Sequence, residues 1–125
     1  MDEEKRPKVL PPSLRDRTRY LAFDVISEQK ILLDDLINTI WHSVLNFLGE
    51  IGTSRANIKI IKDTYDNEKQ SGILRCSHED VENVRASLAL VQRIGDNRII
   101  IRVLGISGSI KAAKMKFFGE ANNSL

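Results

Sequence analysis

A chain of 125 residues with 42% hydrophobic and 29% charged residues is long enough for one hydrophobic core and too apolar for wholesale disorder. Its net charge of +2 is only mildly basic, which does not by itself identify a nucleic-acid-binding protein. The single cysteine excludes an internal disulfide, and no apolar run approaches the roughly 20 residues of a membrane-spanning helix. Because no secretory signal pattern opens the chain, we expect a cytoplasmic protein without a membrane partner.

The first 13 residues contain all three prolines among charged residues, which predicts a flexible N-terminal arm. Residues 14–118 are expected to form a single domain, and residues 119–125 a flexible tail. Between residues 19 and 27 the apolar and polar positions alternate, which predicts a first strand with Leu21, Phe23 and Val25 facing the core.

Apolar side chains recur at helical spacing between residues 33 and 48, and Gly49 and Gly52 are expected to end this first helix. Trp41 and Leu45 lie at the edge of the apolar face, either as the rim of the core or as part of a protein contact. The residues predicted on the buried face are Leu33, Leu36, Ile37, Ile40, Val44, Phe47 and Leu48.

A β-hairpin is predicted at residues 57–65 and 72–76, followed by a second helix. Ser77 is expected to cap that helix by accepting a hydrogen bond from a first-turn amide, and Gly95 and Asp96 are expected to end it. The inward side chains of this region are predicted to be Ile58, Ile60, Leu74, Cys76, Val81, Val84, Leu88 and Val91.

The strongest strand pattern is Asn97–Ser107, with Ile99, Ile101 and Val103 inward, and a short third helix is predicted at residues 110–118. The order βαββαβ predicts an α+β fold of the ferredoxin-like, or RRM-like, kind. Its antiparallel four-stranded sheet has the order 4-1-3-2, both helices cover one face, and an extra helix follows at the C-terminus.

The other face of this sheet is left open and is too apolar for plain solvent exposure. Either the third helix, a protein partner or RNA is expected to cover it. The predicted outward residues are Tyr20, Ile26, Ile61, Ile73, Arg75, Ile100, Arg102 and Leu104.

Catalytic chemistry finds little support in the residue pattern. One cysteine and two unclustered histidines do not supply a metal site, and Cys76 is expected to be a buried core residue. His42 and His78 are interpreted as surface or capping residues. No catalytic residue and no bound cofactor are therefore predicted.

A phosphate-binding turn is one interpretation of residues 105–109, because glycines that lead into a helix expose backbone amides. The alternative is a plain turn in which Ser109 caps the third helix. The third strand carries no aromatic residue, so base stacking as in RRM domains is disfavoured, although Tyr20 could stack on its own. With base stacking disfavoured, the expected mode of RNA binding is recognition of the shape and backbone of the RNA by arginine and lysine.

Three segments resemble a known family: LRDRTRYLAF at residues 14–23, CSHE at 76–79 and RVLGISGSIK at 102–111. Together they resemble the RRM-like protein component 2 family of archaeal ribonuclease P, which is related to a small subunit of the eukaryotic enzyme. The resemblance covers roughly residues 14–117 and implies a non-catalytic subunit that helps the RNA to remove the 5′ leader of precursor tRNA. Magnesium would belong to the RNA active site. The implied partners are ribonuclease P RNA, a TIM-barrel protein subunit and a second copy of the chain, giving a heterotetramer.

The RNA contacts are expected on basic and turn residues around the first and last strands: Arg15, Arg17, Arg19, Arg98, Arg102, Ser107, Gly108, Ser109, Lys111, Lys114 and Lys116. Since those strands are antiparallel neighbours, the segments before one and after the other should form one basic patch. The expected protein contacts are apolar: Tyr20, Trp41, Leu45, Ile61, Ile73, Ile100 and Leu104.

Two other functions remain open on the same fold. One is a purely protein-binding adaptor, which differs by having no RNA affinity. The other is an acylphosphatase-like hydrolase or a metabolite-binding domain. The hydrolase would need an anion-binding loop after the first strand, and residues 28–32 contain neither glycine nor arginine.

Overall fold

A computed structural model of the protein describes residues 17–119. The predicted arm (1–13), Arg15 and most of the predicted tail (119–125) lie outside these residues. The strands of this part are β1 (Thr18–Ser27), β2 (Lys59–Asp66), β3 (Ser71–Ser77), β4 (Arg93–Ile94) and β5 (Asn97–Ser107). The helices are α1 (Leu33–Ala56), α2 (Val81–Ala89) and α3 (Ile110–Ala113). A 3-10 turn (His78–Asp80) precedes α2, and a π-helical turn (Lys114–Phe118) continues α3.

The strands form one antiparallel sheet in the order β2-β3-β1-β5-β4. The predicted strands one to four are β1, β2, β3 and β5, and they have the predicted order, so the ferredoxin-like α+β fold is confirmed. The two-residue β4 was not predicted. It forms a hairpin with β5 through a turn in which Gly95 has a φ of 60°. The prediction that Gly95 and Asp96 end the second helix is therefore wrong, because α2 already ends at Ala89.

The core lies between one face of the sheet and helices α1 and α2, as the alternation of the strands predicted. Phe47 is an exception: its side chain is 46% exposed, although its helical position predicted burial. The segment after α2 does not close over Phe47 but leaves a groove beside it. The core residues are Leu21, Phe23, Val25, Leu36, Ile40, Val44, Ile60, Leu74, Cys76, Val84, Leu88, Ile99 and Ile101.

Helix α1 is interrupted but not ended at Gly49, whose φ of 75° and ψ of 178° are not helical. The helix resumes and continues to Ala56, so the prediction that Gly52 helps to end it is wrong. Gly52 is instead buried within the second part of the helix. Asn57, in the left-handed conformation, closes the helix with its backbone N–H on the Thr53 carbonyl at 3.2 Å. Such a residue directly after a helix is a common way to satisfy its last carbonyl groups.

The start of α2 differs from the predicted cap. The Ser77 hydroxyl accepts no hydrogen bond from the helix and donates one to the Arg55 carbonyl at 2.8 Å. That carbonyl belongs to the last turn of α1, where helical partners are missing. Ser77 thus joins the end of α1 to the end of β3.

The third helix occupies the predicted residues and folds back over part of the open sheet face. It packs on β1 and β5, and the ring of Phe117 lies directly over Gly105. Ala22 and Ile73, which share a row across the sheet with Gly105, have no exposed surface. Of the three candidates for covering this face, the third helix therefore covers its central part.

Candidate nucleic-acid interface

The start of β1 and the end of β5 lie at the same end of the sheet, as predicted, because Tyr20 pairs with Ser107. Arg17 is exposed, and its carbonyl accepts a hydrogen bond from the His78 amide at 2.8 Å. Lys111 on α3 is also exposed. Residues from both basic segments thus surround one end of the domain.

These basic residues do not lie on one face of the sheet. Arg19 pairs with Cys76, whose side chain is in the core, so alternation places Arg19 on the side of α1 and α2. The lysines of α3 and of the π-helical turn lie on the opposite side, where Lys111 and Lys116 are exposed and Lys114 is half-buried. The basic surface therefore extends around the end of the sheet from one face to the other.

The turn after β5 contains the predicted helix cap. The Ser109 hydroxyl caps α3 by accepting a hydrogen bond from the Ala112 amide at 3.1 Å. Gly108 and Ser109 are exposed, whereas Ser107 is 7% exposed and its hydroxyl has no hydrogen-bond partner among the described residues.

Arg102 and Arg98 are separated from this end of the sheet. The guanidinium of Arg102 binds both carboxylate oxygens of Asp24, with Nε–Oδ1 at 2.9 Å and Nη2–Oδ2 at 2.6 Å. This hydrogen bonding, reinforced by the negative charge of Asp24, raises the pKa of Arg102. Arg98 is opposite Arg93 in the β4–β5 hairpin, nine residues from Ser107 and so about 30 Å away along an extended strand.

Two further cations lie on the open face, outside the set of expected RNA contacts. Lys59 on β2 and Arg75 on β3 pair with one another, and Arg75 also pairs with Tyr20. The alternation of β3 had placed Arg75 outward, but only the strand register brings Lys59 next to it. In the sequence, Lys59 comes directly before the inward residue Ile60, and Arg75 comes directly before the inward residue Cys76. This position was the signal that both cations face outward.

The residues expected to contact proteins do not form a single surface. Trp41 and Leu45 are on α1, on the other side of the sheet from the remaining candidates, and Trp41 is 44% exposed. Ile73 is fully buried in the row that it shares with Ala22 and Gly105, so the expectation that it contacts a partner does not fit this structure. Among the others, Ile100 and Leu104 are exposed, and Tyr20 and Ile61 are half-buried.

An apolar groove of about 570 Å³ lies between α1 and the segment that joins α2 to β4. Phe47 and the 59% exposed Leu90 line it, together with His42 and Arg93. His42 is exposed, and its Nδ1 lies 2.8 Å from the Asn38 carbonyl. The exposed apolar surface of α1 is thus larger than the predicted Trp41 and Leu45 edge.

Cys76 is fully buried, as predicted, and its thiol is poorly suited to nucleophilic chemistry. Burial, reinforced by the nearby Asp80, raises its pKa to about 11. Residues 17–119 contain no group of three or more His, Cys, Asp or Glu placed to hold a metal ion. Within the same residues, no helix has the length and apolarity needed to cross a membrane.

Comparison with known proteins gives consistent matches over most of the chain. A protein named Ribonuclease P protein component 2 from Pyrococcus furiosus is 47% identical over 116 residues, which cover 93% of this chain and 95% of that protein. The proteins of the same name from Methanosarcina mazei and Methanocaldococcus jannaschii are 42% and 39% identical and cover 90% of this chain; the chain spans 94% and 81% of them, respectively. A chain in the cryo-EM structure of yeast ribonuclease MRP has the same fold, with a TM-score of 0.56 at 10% identity over 86% of this chain and 90% of that one.

The sequence profile of the Rpp14/Pop5 family matches residues 19–118, from the second residue of β1 to the end of the π-helical turn after α3. The profile and the curated relatives thus cover the same domain that the fold defines. The chain belongs to the Rpp14/Pop5 family.

Proposed function

We propose that this chain is a non-catalytic protein subunit of ribonuclease P, the ribonucleoprotein endoribonuclease that removes the 5′ leader of precursor tRNA. The observation that carries the proposal is the 47% identity to a protein named Ribonuclease P protein component 2 over nearly the full length of both chains. A cytoplasmic location agrees with a buried, unpaired cysteine.

The side chains support binding of RNA and not cleavage of it. Cys76 is buried with a raised pKa, and both histidines lie on the surface, where no described side chain orients them as bases. The basic surface around the end of the sheet, formed by Arg17, Arg19 and Lys111, is suited to phosphate groups, whose contacts depend on charge and not on base sequence. The protein would stabilise the active fold of the RNA, which performs the magnesium-dependent chemistry.

The protein partners of this proposal are a TIM-barrel subunit and a second copy of the chain. Two separate apolar surfaces are available for them. One lies on α1 and beside it, with Trp41, Phe47 and Leu90 each at least 44% exposed. The other is the uncovered part of the open face, where Ile26 and Ile100 pair across β1 and β5 and are 46% and 58% exposed. Exposed apolar surface of this kind is typical of proteins that assemble.

Reconstitution with the cognate RNA and the TIM-barrel subunit tests this function. We expect no cleavage of precursor tRNA by the isolated chain, and cleavage at modest magnesium when the chain and its partner are added to the RNA. Cleavage by the protein alone would contradict the non-catalytic role. Failure of the chain to increase cleavage by the RNA would contradict the role as a subunit.

An adaptor function is favoured by one observation, the exposed apolar surface of α1, and it predicts protein binding without RNA affinity. The acylphosphatase-like alternative is disfavoured by the segment after β1. There the Ile31 amide donates to the Oε1 of Gln70 at 2.7 Å, so it is not available to an anion. Measuring RNA binding by the isolated chain separates the adaptor from the ribonuclease P subunit.

A further inference from the structure

One row of side chains crosses four strands on the open face of the sheet, at the end where β1 begins. Its members are Lys59 on β2, Arg75 on β3, Tyr20 on β1 and Ser107 on β5. Arg75 pairs with Lys59 on one side and with Tyr20 on the other, and Tyr20 pairs with Ser107. We call these four residues the basic row.

Two hydrogen-bond donors of the basic row have no partner among the described residues. The Nε of Arg75 and the hydroxyl of Ser107 are both buried without a hydrogen bond. Buried donors are almost always paired in folded proteins, so an unpaired one needs a physical explanation. Here two of them lie on the same face, one strand to either side of Tyr20, and Ser107 is only 7% exposed. A bound acceptor group is one such explanation.

The charges of the basic row also lack compensation within the described part of the chain. Lys59 and Arg75 are like charges directly opposite one another on neighbouring strands, an arrangement that destabilises a sheet. Neither makes an ion pair with another described residue. The carboxylate on the same face of β1 is Asp24, and Arg102 binds both of its oxygens. An anion from outside the described residues would relieve the repulsion.

The neighbouring row on this face is closed. It consists of Ile61, Ile73, Ala22 and Gly105, and the ring of Phe117 covers Gly105. A ligand of the basic row must therefore approach from the end of the sheet, where Lys59 is exposed. Arg17 and the turn leading to Lys111 lie around the same end of the sheet.

We infer that the basic row binds a phosphate group of the RNA backbone, with Arg75 as its principal donor. The guanidinium presents several N–H donors in a planar arrangement that matches phosphate oxygens, Lys59 adds charge, and the Ser107 hydroxyl is a neutral donor. This inference rests on the proposed RNA-binding function and extends it to residues outside the flanking basic segments. Tyr20 lies on the strand between the two unpaired donors.

The test is a salt titration of binding to the cognate ribonuclease P RNA, with the full chain carrying Arg75→Gln or Lys59→Gln. Each substitution should weaken binding several-fold at low salt. It should also reduce the salt slope, the magnitude of the slope of the logarithm of the binding constant against the logarithm of the salt concentration, by about 0.5 to 1. Lys62→Gln is the matched control, because Lys62 is another exposed lysine of β2 outside the basic row, and it should leave the slope less affected. Arg75→Lys keeps the charge, so it should preserve the slope and lose affinity.

Ser107→Ala separates a ligand-binding role from a structural one. If the hydroxyl serves the ligand, its removal should weaken RNA binding without changing the slope and leave the melting temperature unchanged or higher, since an unpaired buried group is removed. A lower melting temperature with unchanged RNA binding would overturn the role of Ser107.

The Nε–Hε resonance of Arg75 gives a direct readout. We expect it to shift on addition of the RNA and, at higher concentration, on addition of inorganic phosphate. A shift with inorganic phosphate but none with the RNA would overturn the RNA assignment. In another outcome, the wild-type protein binds the RNA while Arg75→Gln and Lys59→Gln weaken this binding no more than Lys62→Gln does. That result would overturn the inference and leave the proposed function intact. Absence of RNA binding by the wild-type protein would overturn both.

Discussion

The ring of Phe117 lies on the backbone of Gly105, so close that a Cβ atom on residue 105 would overlap three of its ring carbons. This contact joins the π-helical turn after α3 to β5 near the C-terminal end of that strand. It fixes the C-terminal helix over the open face and closes the row that contains Ala22 and Ile73. Glycine at position 105 is required here by space and not by backbone conformation.

Gly105→Ala should displace Phe117 and destabilise the domain by about 1–3 kcal/mol, the usual cost of overpacking. Chemical denaturation measures this, and Gly108→Ala is the control because nothing lies within 4 Å of a Cβ at that position. In a protein that already carries Phe117→Ala, Gly105→Ala should lower the free energy of unfolding much less, since the two residues are in contact. Additive effects of the two substitutions would contradict the packing of α3 on β5.

Gln70 holds three backbone segments together. It is buried at 8% exposure, its Oε1 accepts from the Ile31 amide at 2.7 Å, and its Nε2 donates to the Val25 carbonyl at 3.3 Å. Gln70→Ala should cost about 1–3 kcal/mol because it leaves these groups unpaired. Backbone strain should not change, since both residues carry a Cβ at the positive φ of 51°. Lys69→Ala, at the exposed neighbouring position, should have little effect in the same denaturation experiment.

Cys76→Ala should destabilise the protein by about 1–2 kcal/mol through the cavity that it leaves, without abolishing the activity of the reconstituted enzyme. The raised pKa of Cys76, about 11 against an ordinary 9.0, adds a pH dependence. Below pH 9 the thiol is protonated in both the folded and the unfolded state. Between pH 9 and 11 only the unfolded state loses the proton, so the wild-type protein loses stability as the pH rises.

The Cys76→Ala variant has no such titration, so the stability difference between it and the wild type should narrow from pH 9 to 11. Urea denaturation at several pH values measures this difference. A constant difference would contradict the raised pKa, and a folded but inactive variant would contradict the structural role of Cys76.

Asp24→Asn should strengthen RNA binding, because it releases Arg102 from a carboxylate that now holds its guanidinium. The salt slope should become steeper, and stability should fall modestly, since Asp24 is only 19% exposed and a bidentate arginine–carboxylate pair contributes more than a typical exposed ion pair. Filter binding at several salt concentrations is the measurement. Arg102→Gln in the wild-type background is the matched control and should change binding less than Arg75→Gln. An unchanged slope in Asp24→Asn would indicate that Arg102 lies away from the RNA.

Trp41 is the one tryptophan of the chain and is 44% exposed, so its fluorescence should report on association. We expect a blue shift when the TIM-barrel subunit is added, and self-association of the isolated chain at high concentration in sedimentation experiments. Phe47→Ser should reduce the shift, while Asn38→Ser, a polar change on the rim of the same groove, should not. A strictly monomeric chain that also ignores the partner would contradict the role proposed for the apolar surface of α1.

Local patterns were sufficient for four of the five described strands and for the order of those four in the sheet. The alternation in β1 and β5 placed Leu21, Phe23, Ile99 and Ile101 correctly, because a half-buried strand repeats every two residues whatever it pairs with. The order of elements then left few topologies for an antiparallel sheet with two covering helices. The bounds of the third helix followed from Ser109 and from the glycine after Phe118.

Local patterns were misleading where a neighbouring element decides. Ser77 can cap a helix, but its hydroxyl donates a hydrogen bond to the Arg55 carbonyl at the end of α1 instead. Gly52 can end a helix, yet it is buried within α1. Gly49 is the residue of this helix whose φ and ψ are not helical. Phe47 has the periodicity of a core residue and faces a groove, since the segment after α2 does not close over it.

By itself, the sequence determined the main helices and strands, the core face and the family, since these depend on residue type and on spacing along the chain. Only the tertiary structure decided that Ile73 is covered, that Arg102 is held by Asp24 and that Lys59, Arg75 and Ser107 share a row. Each of these facts depends on the register between strands and on where α3 packs. Register is set by the energy of the whole packed sheet, so residues that are 16 or 55 positions apart become neighbours for reasons that no local pattern contains.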